Sequence, residues 1–224
     1  MDKNHEMWSN IGMDVEKHDV LCEVLPGAFG DVFLSQENRP KGMDYFNMVV
    51  GDIHGIRPSE LIAEQEKGRK VVGTFCIHVP DEVPIAANAI VTGLCSGSQF
   101  WVPGGEKVLP TATCPLIKAS LGARFDRTCP FFRIADLFVG ETTCDGKKKA
   151  WEILGEDAPV YIMDIPQLKT EDDFIKWEKE IKKYITKLEE LTGNKVTEES
   201  LHDAIVLINK KRKAMQRLNN FRKL

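Results

Sequence analysis

Residues 135–155 have the sequence ADLFVGETTCDGKKKAWEILG, and this segment indicates the fold class of the chain. It begins with an apolar run over 135–140, which is typical of a buried strand. A short polar turn follows, and the helical pattern over 147–154 ends at Gly155, as many helices end at glycine. A strand joined to a helix by a short turn is the repeating unit of α/β proteins.

The same alternation of strand and helix continues on both sides of this segment. We predict further strands over 70–75, 90–94 and 159–163, and further helices over 58–65, 81–89 and 115–121. Strands that alternate with helices usually pair in parallel. The sequence therefore predicts an α/β fold with a mostly parallel, Rossmann-like sheet and flanking helices.

A C-terminal helical hairpin is expected after the last strand. Apolar residues recur every three to four positions over 170–191, and Thr170 with Asp173 resembles a capping box at the start. Gly193 ends this helix, and Thr197 caps a second amphipathic helix. Two helices joined by so short a turn form an antiparallel pair.

These patterns divide the chain into three segments. We expect an irregular and helical segment over 1–69, a Rossmann-like domain over 70–165 and the helical hairpin over 166–224. Residues 209–224 carry seven basic and no acidic side chains. We expect this basic stretch either to be exposed or to pack against further chain, and we prefer packing to nucleic-acid binding.

The composition is that of a folded protein with its own core. The chain has 224 residues, of which 42% are hydrophobic and 29% charged, and these are ordinary values. No segment is apolar over the length of a membrane span, and the polar N-terminus does not resemble a secretory signal. We therefore expect a cytoplasmic protein that binds no membrane. The net charge of −4 makes nucleic acid an unfavoured partner.

Five of the six cysteines are candidate ligands because of where they stand. They are Cys76, Cys95, Cys114, Cys129 and Cys144. None forms a C-x-x-C pair, so the spacing does not match a zinc ribbon, a thioredoxin site or a ferredoxin. Each instead lies near the end of a predicted strand or the start of a predicted helix. Residues at the carboxyl ends of parallel strands meet at one edge of the sheet, where ligands bind.

Three of these cysteines stand where helices are expected to begin. Proline follows Cys114 and Cys129 and favours the first helical position, and Cys144 precedes the helix over 147–154. A helix N-terminus offers free N–H groups and a partial positive charge, which stabilise a thiolate or an anionic cluster. This pattern favours a polynuclear iron–sulfur site. The alternative, that most are ordinary core cysteines, stays open, and Cys22 is expected in the core.

Two long segments resemble the 2-hydroxyacyl-CoA dehydratase and benzoyl-CoA reductase family. They are LPTATCPLIK over 109–118 and VGETTCDGKKK over 139–149. Further similarity lies in segments 73–76 and 79–82, and similarity to the double-cubane-cluster branch lies in 16–19, 38–43, 94–100 and 127–132. The resemblance covers nearly the whole chain and is closest to that branch.

The resemblance implies an oxygen-sensitive iron–sulfur cluster bound by cysteine, either [4Fe-4S] or the double-cubane [8Fe-9S]. It implies Cys114 and Cys144 as the first ligands, then Cys129 and Cys95, and then Cys76. A separate ATP-hydrolysing iron–sulfur activator is implied as the electron donor, together with a homodimer or a paired related subunit. The implied reaction is reduction of a small molecule or dehydration of a 2-hydroxyacyl-CoA.

The resemblance also leaves alternatives. Family chains usually carry a second α/β domain that supplies further cluster cysteines, whereas no cysteine follows Cys144 here. One alternative is therefore a non-catalytic N-terminal fragment or subunit that only pairs with another chain. Another alternative, a structural zinc or thiol-redox protein, is disfavoured by the ligand spacing.

Two other groups of residues have both a structural and a functional interpretation. Lys147, Lys148 and Lys149 form an exposed helix face by default, and a docking surface for the activator is the functional interpretation. Gly104 and Gly105 are expected to form a turn, because the glycine pattern of a nucleotide site is missing. The chain has no Walker A sequence, so we expect a partner to hydrolyse ATP.

Overall fold

A parallel four-stranded sheet forms the centre of the protein. The computed structural model describes residues 3–52, 54–94 and 96–223. Its strands are β1 (Val71–Thr74), β2 (Ile90–Gly93), β3 (Leu137–Glu141) and β4 (Val160–Met163). They lie in the order β2-β1-β3-β4, and every neighbouring pair is parallel. The predicted α/β fold with a parallel sheet is confirmed.

Helices surround this sheet and account for most of the remaining chain. In chain order they are α1 (Lys3–Asn10), α2 (Val15–Phe29), α3 (Met43–Gly51), α4 (Ile56–Glu66), α5 (Glu82–Ala86), α6 (Val102–Gly105), α7 (Pro115–Phe125), α8 (Pro130–Ile134), α9 (Asp145–Gly155), α10 (Glu171–Thr192) and α11 (Glu198–Asn220). A π-helical turn at Gly30–Leu34 follows α2. None of the described helices is both long and apolar enough to cross a membrane.

The sheet separates two apolar clusters, because successive side chains of a strand point to opposite faces. On β3, Phe138 lies in one cluster with Trp151 of α9. Leu137 and Val139 lie in the other cluster with Tyr184 of α10. All residues of β1 and β3 are buried, as expected of central strands covered by helices on both faces.

The C-terminal helical pair forms as predicted. Thr170 and Asp173 make a capping box at the start of α10. Gly193 ends α10 with a φ of 73°, a left-handed conformation that glycine adopts without strain. Thr197 caps α11 by accepting a hydrogen bond from the backbone N–H of Ser200.

Part of the basic stretch over 209–224 packs against this chain itself. Lys211 lies 2.9 Å from Asp81, and Arg212 lies 2.6 Å from Glu82, where α11 packs on α5. Glu82 is buried, so Arg212 balances a carboxylate that has little contact with water. This part of the basic stretch therefore contacts α5 of the same chain, and the predicted packing against further chain stays a prediction.

The structure corrects two expectations about glycines. Gly104 and Gly105 belong to the buried helix α6 rather than to a turn. Gly122 does not end α7, which continues to Phe125. All three glycines lie where α6 and α7 touch: a Cβ on Gly122 would overlap the carbonyl oxygen of Trp101, and a Cβ on Gly105 would overlap that of Lys118. Local sequence does not reveal this tertiary contact, in which glycine permits the close approach.

Gly122→Ala tests this close packing. We expect the substitution to lower the free energy of unfolding by about 1–3 kcal/mol or more, because backbone must move to admit the methyl group. Gly155→Ala is the matched control, since nothing lies within 4 Å of a Cβ there, and we expect no loss of stability. Urea unfolding measures both. Equal stability of the two variants would contradict the packing described.

A pair of histidines joins the N-terminal helices. His18 of α2 and His54, just before α4, share a hydrogen bond of 2.8 Å between Nε2 and Nδ1. Trp8 of α1 donates from Nε1 to the carbonyl oxygen of His54 at 2.7 Å. The Cys22 thiol lies 3.5 Å from His18 Nδ1, and Cys22 is half-buried here rather than in the core where we expected it. Burial lowers the pKa of both histidines to about 4.

The histidine pair predicts a loss of stability in mild acid. Because the folded pKa of about 4 lies below the ordinary 6.5, the unfolded chain takes up protons that the folded chain refuses. The free energy of unfolding should therefore fall as pH drops from about 6.5 towards 4. Each unit by which folding lowers a histidine pKa corresponds to about 1.4 kcal/mol of this loss. His54→Asn should weaken this dependence, so that wild type and variant converge in acid.

Urea unfolding at pH 7 and pH 5 measures that convergence. His202→Asn is the control, because His202 is exposed on α11. If the free energy of unfolding of wild type and of His54→Asn changed by the same amount between pH 7 and pH 5, the histidine pair would not contribute to the loss of stability in acid.

Candidate metal centre

The carboxyl edge of the sheet brings two sequence-distant segments together. Thr74 of β1 pairs with Val139 of β3. Cys76 follows the end of β1 by two residues and Glu141 is the last residue of β3, so both lie at the carboxyl edge of the sheet. Cys76 is half-buried, and Glu141 is fully buried. This edge is where ligands bind in parallel α/β sheets.

Three of the candidate cysteines cap helices, as predicted. Cys114 is the N-cap of α7, Cys129 that of α8 and Cys144 that of α9. Neither Cys114 nor Cys144 accepts a capping hydrogen bond through its side chain. Cys114 and Cys144 are exposed, so their thiols stand beside helix N-termini with their partial positive charge and are open to a ligand.

The helix starts that carry Cys114 and Cys144 adjoin each other. α7 packs against α9. A Cβ placed on Gly146, in the first turn of α9, would lie 3.0 Å from Cδ1 of Ile117, in the first turn of α7. Glycine at position 146 permits this approach. The first two ligand candidates are therefore brought to neighbouring positions, although 30 residues separate them in sequence.

The segment that leads into Cys114 is anchored by a buried lysine. Lys118 of α7 is 5% exposed. Its Nζ donates to Glu106 Oε1 at 2.6 Å and to the carbonyl oxygen of Thr111 at 2.7 Å. Removing either partner would leave a poorly hydrated charge, so the contact holds the loop before Cys114 in place.

An ion pair with a buried carboxylate lies within electrostatic range of Cys76 and Cys144. Lys147, in the first turn of α9, donates to Oε1 of Glu141 at the end of β3. Burial acts to lower the pKa of Lys147. The hydrogen bond and negative charge of Glu141 outweigh this effect, together with the electrostatic contributions of Cys76 and Cys144, and the pKa of Lys147 is raised above its ordinary value. An ammonium group is thus fixed within electrostatic range of two candidate ligands.

The other two lysines of the cluster remain at the surface. Lys148 lies 3.3 Å from Asp145, and Lys149 pairs with Glu152. Their side chains are 51% and 66% exposed, against 16% for Lys147. The run of three lysines is therefore not one uniform exposed face.

Cys129 has a different environment from Cys114 and Cys144. It is 6% exposed and belongs to the apolar cluster that contains Phe132. Burial raises the pKa of its thiol to about 11, although hydrogen bonds from the N–H groups of Phe132 and Phe131 act to lower it. Cys95 lies outside the described residues.

A groove of about 1100 Å³ opens beside Cys76. The outer edge of β2 forms its floor, and α4 and α11 form its walls. The lining combines apolar groups such as Ile77 and Ile85 with three ion pairs, Arg57–Glu60, Arg69–Glu64 and Lys211–Asp81. Carboxylates of the same lining therefore balance these three cations.

The donor chemistry at this edge suits an iron–sulfur cluster. Cys76, Cys114 and Cys144 supply accessible thiols without a disulfide, and two of them stand at helix N-termini. Within the part of the chain that the structure describes, no three Cys, His, Asp or Glu side chains converge closely enough to hold one metal ion.

Sequence reasoning missed two features of this site. It did not indicate that Glu141 is buried and paired with Lys147. It also overlooked the anchor that Lys118 makes to Glu106. A glutamate that directly continues an apolar strand was the available signal for the first. Nothing local marks the second.

Comparison with known proteins identifies relatives of this chain. The profile of the family described as 2-hydroxyglutaryl-CoA dehydratase, D-component, matches residues 76–224. The chain is 43% identical over 152 residues to the dehydratase subunit named YjiM from Escherichia coli (strain K12). It is 24% identical over 157 residues to the (R)-phenyllactyl-CoA dehydratase beta subunit from Clostridium sporogenes.

Each match covers 67% of this chain and 40% of the relative. The chain therefore spans about two fifths of the length of these curated relatives. The family profile matches well over half of the chain and includes Cys76, Cys114, Cys129 and Cys144. It thereby confirms the resemblance seen in the two signature segments. The chain belongs to the 2-hydroxyglutaryl-CoA dehydratase D-component family.

Proposed function

We propose that this chain is the cluster-binding part of an iron–sulfur enzyme of its family. The observation that supports this most is the placement of Cys114 and Cys144 at adjoining helix N-termini, next to the carboxyl edge of the sheet. Backbone N–H groups at such termini stabilise anionic sulfur. Cys76 extends the set from the neighbouring strand end.

The cluster is a [4Fe-4S] or an [8Fe-9S] assembly that supplies single low-potential electrons when bound. Cys114 and Cys144 are the first ligands in this proposal, and Cys129, Cys95 and Cys76 are the further candidates. Cys129 requires loss of a proton against its raised pKa before it ligates iron. Its N–H donors from Phe131 and Phe132 then favour the anionic form.

The reaction we propose is dehydration of a 2-hydroxyacyl-CoA, with ATP-dependent reduction of a small molecule as the second candidate. Both relatives are named as dehydratase subunits, which favours dehydration. The groove beside Cys76 is in accord with either reaction, because it lies next to the sheet edge and has apolar side chains that can accommodate the apolar part of a substrate. An ATP-hydrolysing iron–sulfur activator delivers the electrons, and Lys148 and Lys149 are the exposed lysines that remain for its docking.

A non-catalytic role is the alternative function. The chain spans 40% of the length of its relatives, so they contain segments that it does not match. In that case the chain pairs with another subunit and holds little iron by itself.

An enzyme that depends on ATP and on reduced thiols is expected in the cytoplasm.

In this proposal a paired subunit covers an exposed apolar surface, here called the apolar arm. The paired subunit is either a second copy of this chain or a related chain. The apolar arm is the stretch over 20–50, which contains most of α2, the π-helical turn and all but the last residue of α3. Neither α3 nor the π-helical turn buries a residue. Its exposed side chains include Val24, Phe33, Tyr45, Phe46, Met48 and Val50. An exposed apolar surface of this extent is typical of a protein–protein interface.

Iron analysis tests the proposed cluster. We expect anaerobically purified protein to contain iron and acid-labile sulfide, and we expect Cys114→Ser and Cys144→Ser to lose most of both, because each removes a thiolate ligand. Cys22→Ser is the matched control, as Cys22 lies beside His18 rather than at the sheet edge. Colourless wild-type protein without iron or sulfide would refute the cluster and leave the non-catalytic alternative.

Light scattering tests the apolar arm. We expect the purified protein to be a dimer or a complex with its paired subunit, and a Phe33→Asp, Phe46→Asp double variant to dissociate, since charges would be buried in the interface. Phe174→Asp is the control, because Phe174 is equally exposed but lies on α10, outside the arm. A monomeric wild type, or a double variant that still pairs, would contradict the assignment.

A further inference from the structure

The buried pair of Lys147 and Glu141 is the strongest unexplained feature of the sheet edge. Glu141 is 0% exposed, and its Oε2 has no hydrogen-bond partner among the described residues. Its Oε1 accepts from Lys147 and lies 3.4 Å from the Thr143 hydroxyl. A carboxylate in this setting is costly unless a cation stays beside it. Glu141 therefore holds the Lys147 ammonium in one place.

The backbone around Glu141 is equally constrained. Trp151 of α9 donates from Nε1 to the carbonyl oxygen of Glu141 at 2.9 Å. A Cβ on Gly140 would collide with the Trp151 ring, so the end of β3 packs tightly against α9. The end of β3 and the first turns of α9 thus form a rigid frame, and the ammonium position follows from that frame.

We propose that Lys147 tunes the electron affinity of the metal centre, with Glu141 as its positioning residue. This rests on the proposed function, since it presumes a cluster at Cys144 and its neighbours. Taking up one electron from the activator adds one negative charge to the cluster and involves no bond change. A cation fixed in a poorly hydrated position stabilises that added charge, so Lys147 makes reduction easier.

The neighbouring lysines do not have this effect, because they differ in exposure and in partner. Lys148 and Lys149 are 51% and 66% exposed and pair with surface carboxylates. Water and salt screen such charges strongly. Lys147, at 16% exposure, is screened much less. The three consecutive lysines therefore provide matched variants in one helix.

An anaerobic redox titration of the iron-loaded protein tests the proposal. We expect Lys147→Met to shift the midpoint potential to more negative values, and this shift to persist at high salt. Lys149→Met should change the potential little, and the small change should vanish as salt rises. Lys147→Arg, which keeps the charge, should retain the wild-type potential. Equal shifts in Lys147→Met and Lys149→Met would overturn the proposal.

Iron and sulfide content of each variant separates this proposal from the one it rests on. Wild-type protein without iron refutes the cluster itself, whereas loaded variants with unchanged potentials refute only the role of Lys147. Where Lys147→Met does not retain iron, Lys147→Gln serves as the second variant. If Lys147→Met and Lys147→Gln both lose iron while Lys147→Arg retains it, the result supports the need for a positive charge at position 147. Loss from all three indicates a purely structural lysine and overturns the proposal.

Discussion

The parallel pairing of β1 with β3 determines where the chemistry of this protein lies. The register that sets Thr74 against Val139 brings Cys76 and Glu141 out of the sheet together. Burial of Glu141 then requires a cation, and Lys147 in the first turn of α9 supplies it. Shifting this pairing by one residue would turn the apolar side chains of β3 to the wrong faces, so the core and the site depend on the same register.

Close helix packing supplies the second part of the site. Glycines at positions 105 and 122 let α6 approach α7, and Gly146 lets α9 approach α7. A larger residue at position 105 or 122 would meet backbone atoms and force α6 and α7 apart, whereas one at position 146 would press on the end of the Ile117 side chain. Small residues that carry no chemistry themselves thus support the packing around the helix starts at Cys114 and Cys144.

Much of this arrangement could be predicted from the sequence because it is local. The strand–helix alternation has a clear period, and a cysteine followed by proline marks the helix starts at Cys114 and Cys129. The depth of burial could not be predicted, so the sequence does not separate Cys129, which is buried, from Cys114, which is exposed. Lys147 is less exposed than Lys148 and Lys149 because it contacts Glu141 at the end of β3. The spacing of residues in the sequence does not show this contact.

The helices before the sheet show a further limit of sequence reasoning. The apolar residues of α3 face no core within the described chain, so they form no stripe against a partner helix. Their pattern therefore resembles an irregular segment although the backbone is helical. Such a segment becomes interpretable only when its surface is seen, and here that surface is the apolar arm.

Anomalous diffraction at the iron edge, from crystals grown without oxygen, locates the metal independently of any activity. The proposed arrangement predicts iron peaks against the Cys114 and Cys144 thiols, at the adjoining starts of α7 and α9. Peaks elsewhere, for example beside Cys22 and the two histidines, or no iron peaks from protein with intact cysteines, would contradict it.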